Sequence, residues 1–469
     1  MTRSRLHDGA NSLPFAASLF FASLLPRLWV ALHFAAEPVW DGHYYDFGAR
    51  QIALGTGYAD QRIVDGIVEW HPWCHYPVGY SFFLSVFYRL FGSDLRVAAV
   101  VNAVVSALVP VVTFVLATRI FSPNRARIAG IIAAAHPGLI LYSALVMTEP
   151  LSALSTLLAF VLATQGKERR WFVLGALLIG LSALVRPQAL LCAPALAFAD
   201  SAPKLPRLRF AARLPAALAA CVLALLPVLP WTARNCKVMD GCALVSTNAG
   251  WNLAIGAFPR ATGRFETLKA TDGCREVTGQ VQQDRCWFNY GVSEIESHPA
   301  HWLALVPKKL GYTFDHESFA VEYLHEARPA AWPEERRANG RALTTYSHRI
   351  LLAAAALGVG AFVLGKRRRH VVAQGVLLLG VIALWIYAFT PDPAFWPLAV
   401  FLAVAPWLPT PGRPQFGPEL KMGLVLFGTT LVTHAIFFGE DRYHMVLTPV
   451  LCLFAAGALR RPAPERPAV

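Results

Sequence analysis

The sequence predicts an all-α polytopic membrane protein with about twelve membrane-spanning helices. Hydrophobic residues make up 55% of the 469 residues and charged residues 15%, whereas soluble domains carry about 25% charged residues. Apolar runs of about 18 or more residues recur through most of the chain, and each is long enough to cross the roughly 30 Å hydrocarbon core of a bilayer. The first run, Leu13 to Ala36, is too long for the apolar region of a signal peptide, so we expect it to be retained as a helix.

The predicted helices follow these apolar runs. They occupy residues 13–36, 95–118, 128–146, 149–165, 171–185, 187–200, 214–232, 348–365, 371–389, 394–409, 421–438 and 443–459.

The short basic connections between these helices predict the orientation of the chain. If the N-terminus is cytoplasmic, alternate crossings place every strongly basic connection on the cytoplasmic side, as the positive-inside rule requires. The protein is therefore expected to be a multi-pass protein of the cytoplasmic (inner) membrane. The formal charge of +13 lies in these clusters, which argues against a nucleic-acid partner.

Two long segments lie on the outer side in this topology. The first, 37–94, contains the aromatic stretches Tyr44–Leu54 and Gly79–Phe91, which are amphipathic like interfacial helices. The alternative for Gly79–Phe91 is a thirteenth span, although it is short for one. The second segment, 233–347, is long enough for a small periplasmic subdomain. The chain is thus divided into an N-terminal transmembrane module (1–232), an extracytoplasmic subdomain (233–347) and C-terminal transmembrane helices (348–469).

Four cysteines support this placement of the second segment. Cys236, Cys242, Cys274 and Cys286 all fall within it, and an oxidising exterior allows disulfides. Cys236–Cys242 and Cys274–Cys286 are the natural short-range pairs. Four cysteines permit three pairings, and free thiols are the alternative.

Polar residues from separate segments all reach the outer face. Asp41 and Asp46 lie in the first loop, Glu149 and Arg186 lie at outer helix ends, and further residues are Tyr45, Glu69, His71, His75, Arg234, Asn235, Asp441, Arg442, Tyr443 and His444. Spanning helices rarely carry ionisable groups without a purpose, so this convergence predicts an interfacial active site.

Each of these residues also has an ordinary structural interpretation. Glu149 could cap a helix, and Arg186 could extend its charged head to the membrane surface. The spacing of His71 and His75 would suit a metal on a helix, but Pro72 argues against a regular helix there. Arg27, inside the first apolar run, could be a buried partner of a loop acid.

Six motifs, in order along most of the chain, resemble those of one family. They are W-D-G-H-Y-Y-D-F-G-A-R-Q-I-A-L-G-T-G-Y, H-Y-P-V-G-Y-S-F-F-L-S-V-F-Y-R-L-F-G, P-G-L-I-L-Y-S-A-L-V-M-T-E-P-L, G-L-S-A-L-V-R-P-Q-A-L-L, P-W-T-A-R-N with S-T-N-A-G-W-N-L-A-I-G, and D-R-Y-H-M-V-L-T-P-V. The chain resembles the C-type glycosyltransferase superfamily. It is most similar to the family 39-like branch, which holds protein O-mannosyltransferases and lipid A aminoarabinose transferases.

The resemblance implies both a reaction and a set of roles. The enzyme would transfer a sugar from a polyprenyl-phosphate donor to a lipid, glycan or protein acceptor at the outer face. Asp41 would act as the general base, and Arg186, Arg442 and Arg234 would bind the donor phosphate. Asp46, Tyr45, His75, Glu149 and Tyr443 would position substrates. We predict no metal or other cofactor in catalysis.

Two departures prevent transfer of either subgroup's specificity. Gly42 follows Asp41, where mannosyltransferases often carry a second acid. His75 and Tyr76 stand before Pro77, where aminoarabinose transferases tend to have an acid and a lysine. The alternative function is a membrane transporter or lipid flippase, which would use charges near the middle of the bilayer and usually an internal repeat.

Overall fold

The computed structural model describes residues 3–64, 66–203, 213–363, 387, 393–407 and 416–458, and most of them are helical. The α-helices are α1 (Arg3–His33), α2 (Asp41–Leu54), α3 (Val78–Phe91), α4 (Leu95–Ile120), α5 (Pro123–Ala135), α6 (Pro137–Leu141), α7 (Glu149–Ala163), α8 (Arg169–Val185), α9 (Leu214–Leu225), α10 (Leu229–Val238), α11 (Ala249–Ile255), α12 (Gln280–Ser297), α13 (Pro299–Phe314), α14 (Phe319–Ala327), α15 (Glu334–Val363), α16 (Trp396–Val404), α17 (Pro418–Ile436) and α18 (Thr448–Ala458). Shorter 3₁₀ helices occupy Tyr142–Ala144, Pro187–Phe198, Ala270–Asp272, Cys274–Glu276, Ala405–Trp407 and Asp441–Val446. The strands β1 (Ala59–Val64) and β2 (Ile67–Pro72) form an antiparallel hairpin.

Two of the described helices, by length and composition alone, could each cross a membrane unbroken: Ser12–His33 and Leu95–Ile120. Two bent pairs could each form one further span, with bends of 55° between α5 and α6 and 51° between α9 and α10. Several other apolar helices are shorter. The count of about twelve spans therefore stays a prediction, and the predicted helix at 371–389 lies outside the described residues apart from Tyr387.

Proline explains where the predicted helices change form. The segment predicted as a helix over 187–200 is a 3₁₀ helix, Pro187–Phe198, with Pro194 inside it. A proline has no backbone N–H and obstructs the α-helical hydrogen bond to the residue four positions earlier. The segment predicted over 443–459 likewise begins with the 3₁₀ helix Asp441–Val446, and α18 starts only at Thr448.

The break between α5 and α6 is stabilised by Arg27. Its guanidinium group donates to the carbonyl oxygens of Ala134 (3.0 Å) and Ala133 (3.3 Å) and to the Ser106 hydroxyl (3.0 Å). The end of a helix leaves carbonyls without partners, and in an apolar environment each unpaired carbonyl costs free energy. The expectation that Arg27 pairs with a loop acid is therefore wrong, since its fully buried side chain satisfies the end of α5 instead.

The first outer loop folds into the two expected amphipathic helices. α3 buries Tyr80, Leu84 and Tyr88 and leaves Phe82 and Leu90 exposed on its other face. Its 14 residues would span only ~21 Å at the α-helical rise, so it is too short for a thirteenth span.

The hairpin β1–β2 follows α2 and is a feature that the sequence analysis missed. The signal was present in R-I-V-D-G-I-V, because Asp-Gly between β-branched runs favours a tight hairpin turn. Gly66 has a φ of 78°, which a residue with a side chain rarely adopts. His71 lies on β2 rather than on a helix, so the helical spacing with His75 does not exist.

The second outer segment packs on the last turn of the chain. Trp287 is fully buried against Trp251 and Tyr290, and the same cluster includes Phe438 and Tyr443. The predicted boundary at 232/233 falls inside α10, and that at 347/348 falls inside the continuous helix α15. The division into three domains stays a prediction.

The structure confirms both short-range disulfides, Cys236–Cys242 and Cys274–Cys286. The second joins the 3₁₀ helix Cys274–Glu276 to α12, beside the buried Trp287.

We expect the double change Cys274→Ser and Cys286→Ser to lower the free energy of unfolding by ~3 kcal/mol. The reason is that a loop of about this length, once closed, restricts the unfolded chain. Thermal unfolding in detergent measures the loss, with Cys221→Ser, a free thiol on α9, as the control. A non-reducing peptide map that found all four outer cysteines as thiols would contradict both the pairing and the predicted oxidising location.

Candidate active site

A cavity of about 300 Å³ lies where the first outer loop, the helix ends and the second outer segment meet. Its lining comprises Asp41, Tyr45, His75, Tyr76, Pro77, Thr148, Glu149, Val185, Arg186, Pro187, Gln188, Asn248, Ala249, Trp251, Asn252, Ile255, Phe265, Thr433, His434, Phe437, Phe438, Arg442 and Tyr443. Seven residues predicted for the site are therefore brought together: Asp41, Tyr45, His75, Glu149, Arg186, Arg442 and Tyr443.

Asp41 is the first residue of α2 and projects its carboxylate into this cavity. One oxygen accepts a hydrogen bond from the Tyr76 hydroxyl at 2.7 Å, and the other pairs with Arg442 Nη1 at 2.5 Å. The preceding residue, Trp40, has a φ of 51° and is the one non-glycine residue with positive φ in the described segments. Such a conformation costs about 1–3 kcal/mol, so the rest of the fold imposes the turn that presents Asp41.

Arg442 connects three groups around the cavity. It contacts Glu440 through Nε as an ion pair without a well-directed hydrogen bond, and it lies 5.0 Å from the ring centre of Phe319 and 5.1 Å from that of Tyr443. An arginine held between aromatic faces and carboxylates keeps a fixed orientation, which suits it to bind an anion.

Two opposing effects set the protonation of Asp41. Burial alone would raise the pKa of its carboxyl, but the positive charge of Arg442 and the Tyr76 hydroxyl outweigh burial and hold the pKa below its ordinary value. Asp41 is therefore ionised at neutral pH.

Glu440 behaves in the opposite way. Burial raises the pKa of its carboxyl to about 7, and Arg442 only partly opposes the shift. The sequence analysis began this motif at Asp441 and so missed Glu440, whose role depends on burial that the local sequence does not encode.

A second ion pair lies across the cavity. Arg186 Nη1 donates to Glu149 Oε1 at 2.7 Å, and the Arg186 guanidinium lies 5.4 Å from the ring centre of Tyr443. Glu149 is the first residue of α7, where the helix dipole favours a negative charge. Its second oxygen, Oε2, is buried without a hydrogen-bond partner in the described structure and is free to accept one from a ligand.

Aromatic and imidazole rings form much of the remaining wall. Tyr443 stacks on His434 with ring centres 3.9 Å apart, and His75 lies edge-on to Trp251 at 5.6 Å. Burial lowers the pKa of His75, although Asp41 partly opposes this, so its imidazole is neutral at pH 7. Tyr45 packs against Tyr76 at 5.4 Å.

The structure places Asp46 and Arg234 away from the cavity lining. Asp46 accepts hydrogen bonds from Tyr88 and from Arg50 (2.6 Å), and so joins α2 to α3. Arg234 donates to the backbone carbonyls of Tyr58 (2.7 Å) and Trp73 (3.0 Å). Their contacts are structural, so the function proposed below gives neither a role in substrate binding.

Gly42 has a steric reason. A Cβ atom there would overlap the Tyr323 hydroxyl and come within 2.9 Å of the Val146 carbonyl oxygen. Tyr323 belongs to α14 of the second outer segment and accepts a hydrogen bond from the Val39 amide at 3.2 Å. A second acid after Asp41 therefore has no room in this fold.

A family model matches the part of the chain that contains half of this lining. Residues 75–231 match the dolichyl-phosphate-mannose-protein mannosyltransferase family, which is about a third of the chain. The matched stretch includes His75, Tyr76, Glu149 and Arg186. The chain is a member of the C-type glycosyltransferase superfamily.

Solved structures similar to this C-type glycosyltransferase share little sequence with it. The Archaeoglobus fulgidus oligosaccharyltransferase AglB, in complex with an inhibitory peptide and a dolichol-phosphate, is 13% identical over 95% of this chain and 50% of that chain, with a TM-score of 0.41. ArnT from Cupriavidus metallidurans, bound to undecaprenyl phosphate, is 16% identical over 91% of this chain and 89% of that chain, with a TM-score of 0.37. This chain thus spans about half the length of the archaeal enzyme. No curated protein sequence matches it.

We expect Asp46→Asn to lower the free energy of unfolding by about 1–3 kcal/mol, because it removes the charged acceptor of buried Tyr88 and of Arg50. Asp41→Asn is the matched change and should cost less, because Arg442 keeps Glu440 as a partner. Thermal unfolding of the two variants in the same detergent decides between them. A larger loss for Asp41→Asn would show that Asp41, too, has a mainly structural role.

Proposed function

We propose that this protein is an integral membrane glycosyltransferase that takes a sugar from a polyprenyl-phosphate donor and passes it to an acceptor at the outer face of the cytoplasmic membrane. The observation that carries the proposal is the shared cavity, in which an ionised carboxylate lies beside two buried arginines. A base for the acceptor and cations for the leaving phosphate are the two requirements of this reaction.

The two arginines supply the anion site. Arg186 and Arg442 both lie against the ring of Tyr443, at 5.4 and 5.1 Å from its centre, so one phosphate near that ring could contact both guanidinium groups. Arginine and phosphate form charge-assisted hydrogen bonds, which are stronger than neutral ones. As the bond between the anomeric carbon and the phosphate oxygen breaks, these cations stabilise the negative charge that the leaving group gains.

Asp41 then serves as the general base. The acceptor hydroxyl loses its proton to an Asp41 oxygen while its own oxygen bonds to the anomeric carbon, and the lipid phosphate leaves with the electron pair. The ion pair with Arg442 lowers the basicity of Asp41 before the donor binds. A donor phosphate that draws Arg442 toward itself weakens that ion pair and so raises the basicity of Asp41 when the sugar is in place.

The remaining wall suits a sugar and its lipid. The unpaired Glu149 Oε2 can accept a hydrogen bond from a sugar hydroxyl, while Trp251 offers an apolar ring face. A narrow cleft shares Arg186, Gln188, His434 and Tyr443 with the cavity and continues between α7 and α17. Its walls include Leu426 and Val446, so we assign it to the first isoprene units of the donor.

Residues of the second outer segment contribute the opposite wall. Asn248, Trp251, Asn252 and Phe265 line the cavity on that side, and we propose that they help to select the lipid, glycan or protein acceptor. No observation favours the transporter or flippase alternative, since these paired charges lie together in one cavity.

The Asp41→Asn variant tests the role of the base. We expect it to lose transfer by about 10²–10⁴-fold, the usual contribution of a positioned general base, with little change in expression. Purified protein in detergent with lipid would be offered radiolabelled polyprenyl-phosphate sugars and membrane extract as acceptor. Asp46→Asn is the control and should retain transfer in proportion to its folded fraction.

Equal transfer by the wild type and Asp41→Asn would remove Asp41 from the chemistry. Transfer by neither protein, across several donor sugars, would overturn the proposed function.

The pKa of about 7 at Glu440 predicts a pH effect on donor binding. Between pH 6 and pH 8 its carboxyl changes from mostly neutral to mostly charged, while Asp41, with its lowered pKa, stays ionised. The new negative charge competes with the donor phosphate for Arg442, so the donor KM should rise with pH, by up to about tenfold for one pKa unit of coupling.

The variant Glu440→Gln should make the donor KM independent of pH over this range. The same pH dependence in the variant and the wild type would show that another group is responsible.

A further inference from the structure

Four buried ionisable side chains converge at a place that the proposed reaction does not use. Glu317 lies between α13 and α14, His348 lies on α15, His444 lies on the 3₁₀ helix Asp441–Val446, and His136 precedes α6. Their side chains are at most 3% exposed, and none of them lines the cavity described above. Burying a charge and three imidazoles together costs free energy unless they are paired with one another or with an ion.

The polar atoms of the four side chains point at the Glu317 carboxylate. Glu317 Oε2 lies 2.9 Å from His444 Nε2, 4.0 Å from His348 Nδ1 and 3.9 Å from His136 Nε2. The ligand atoms of Glu317, His348 and His444 all lie within 4.8 Å of one another.

Backbone contacts fix which ring nitrogens carry protons. His444 Nδ1 lies 2.7 Å from the Thr313 carbonyl oxygen, and His348 Nε2 lies 3.0 Å from that of Phe314. A carbonyl oxygen can only accept, so both of these nitrogens must donate. In the neutral rings, the other nitrogens, His444 Nε2 and His348 Nδ1, then present lone pairs to the carboxylate.

Lone pairs facing a carboxylate repel it unless a positive species lies between them. Two atoms of the cluster, Glu317 Oε1 and His348 Nδ1, are buried without hydrogen-bond partners in the described structure. His136 differs, because its Nδ1 accepts from the Leu139 amide at 3.4 Å and its Nε2–H is therefore a donor toward Glu317. It can orient the carboxylate but not complete the cluster.

We propose that Glu317, His348 and His444 bind a divalent transition-metal ion, with Zn²⁺ as the expected occupant. Two imidazoles and one carboxylate are common zinc ligands, with bonds of about 2.0–2.2 Å, so ligand atoms at tetrahedral positions lie about 3.3 Å apart. The separations of 2.9 Å and 4.0 Å from Glu317 Oε2 bracket that value. The unpaired Glu317 Oε1 can supply a fourth ligand, as a bidentate carboxylate.

The surroundings of the two histidines also suit a metal. Metal-binding histidines usually donate their second ring N–H to a backbone carbonyl or carboxylate, which orients the ring, and both His348 and His444 do so here. Their rings stack with centres 3.8 Å apart, so they approach the carboxylate from neighbouring directions.

The ion would be structural rather than catalytic. It would connect α15 and the end of α13 to the 3₁₀ helix that carries Arg442, two residues before His444. Losing it should therefore loosen Arg442 as well as lower stability. The site rests on its own contacts and does not depend on the proposed transferase reaction.

Metal analysis of the full chain tests the proposal. The protein would be purified in detergent with lipid, without a histidine tag and without chelator, and its metal content measured by inductively coupled plasma mass spectrometry. We expect about one zinc per chain in the wild type and less than a fifth of that in His348→Gln and Glu317→Gln. The matched control His301→Gln, an exposed histidine on α13, should keep the full content.

Thermal unfolding gives the second readout. Chelation should lower the Tm of the wild type and added Zn²⁺ should restore it, whereas neither treatment should move the Tm of Glu317→Gln. If His348→Gln fails to fold, X-ray absorption at the zinc edge of the wild type, showing two imidazoles and carboxylate oxygen, provides the same test. A metal-free wild type whose Tm ignores Zn²⁺ would overturn the site and leave a proton shared between Glu317 and His444. Equal metal loss in His301→Gln would show adventitious surface binding only.

Discussion

The ion pair between Asp41 and Arg442 is the interaction on which the rest of the site depends. It joins residues 401 positions apart, so it closes the first outer loop onto the last turn of the chain. Removing a partner from a buried pair leaves an uncompensated charge, which costs far more than the pair itself gains. The cavity accordingly holds its charges in matched groups, Asp41 and Glu440 with Arg442, and Glu149 with Arg186.

The second outer segment keeps that pair in register. Asp441, next to Arg442, accepts hydrogen bonds from the Ser318 and Phe319 amides, and Phe319 lies beneath the Arg442 guanidinium. Gly439 lies so close to the Lys309 carbonyl that a side chain would not fit. The same segment contributes Trp251 and Asn252 to the cavity wall, so acceptor selection and the position of the arginine are structurally linked.

Local strain and close packing then explain the departures from the family pattern. Trp40 adopts an unfavourable φ immediately before Asp41, and Tyr323 fills the space beside Gly42. Both features fix the direction of one carboxylate and leave no room for a neighbouring acid. A base held in this way is preoriented for its proton, which is the condition for effective general-base catalysis.

The sequence by itself determined the helical class, the amphipathic helices of the first loop, both disulfides and seven of the residues that line the cavity. Apolar run length, amphipathic pattern and helix-end position are local properties, and a shared membrane face brings helix ends together. Only the tertiary structure showed that Asp46 and Arg234 are held by Tyr88 and by backbone carbonyls. Burial of Glu440 and the cluster around Glu317 likewise arise from segments far apart in the chain, because burial and charge pairing depend on which segments meet, and no local pattern encodes that.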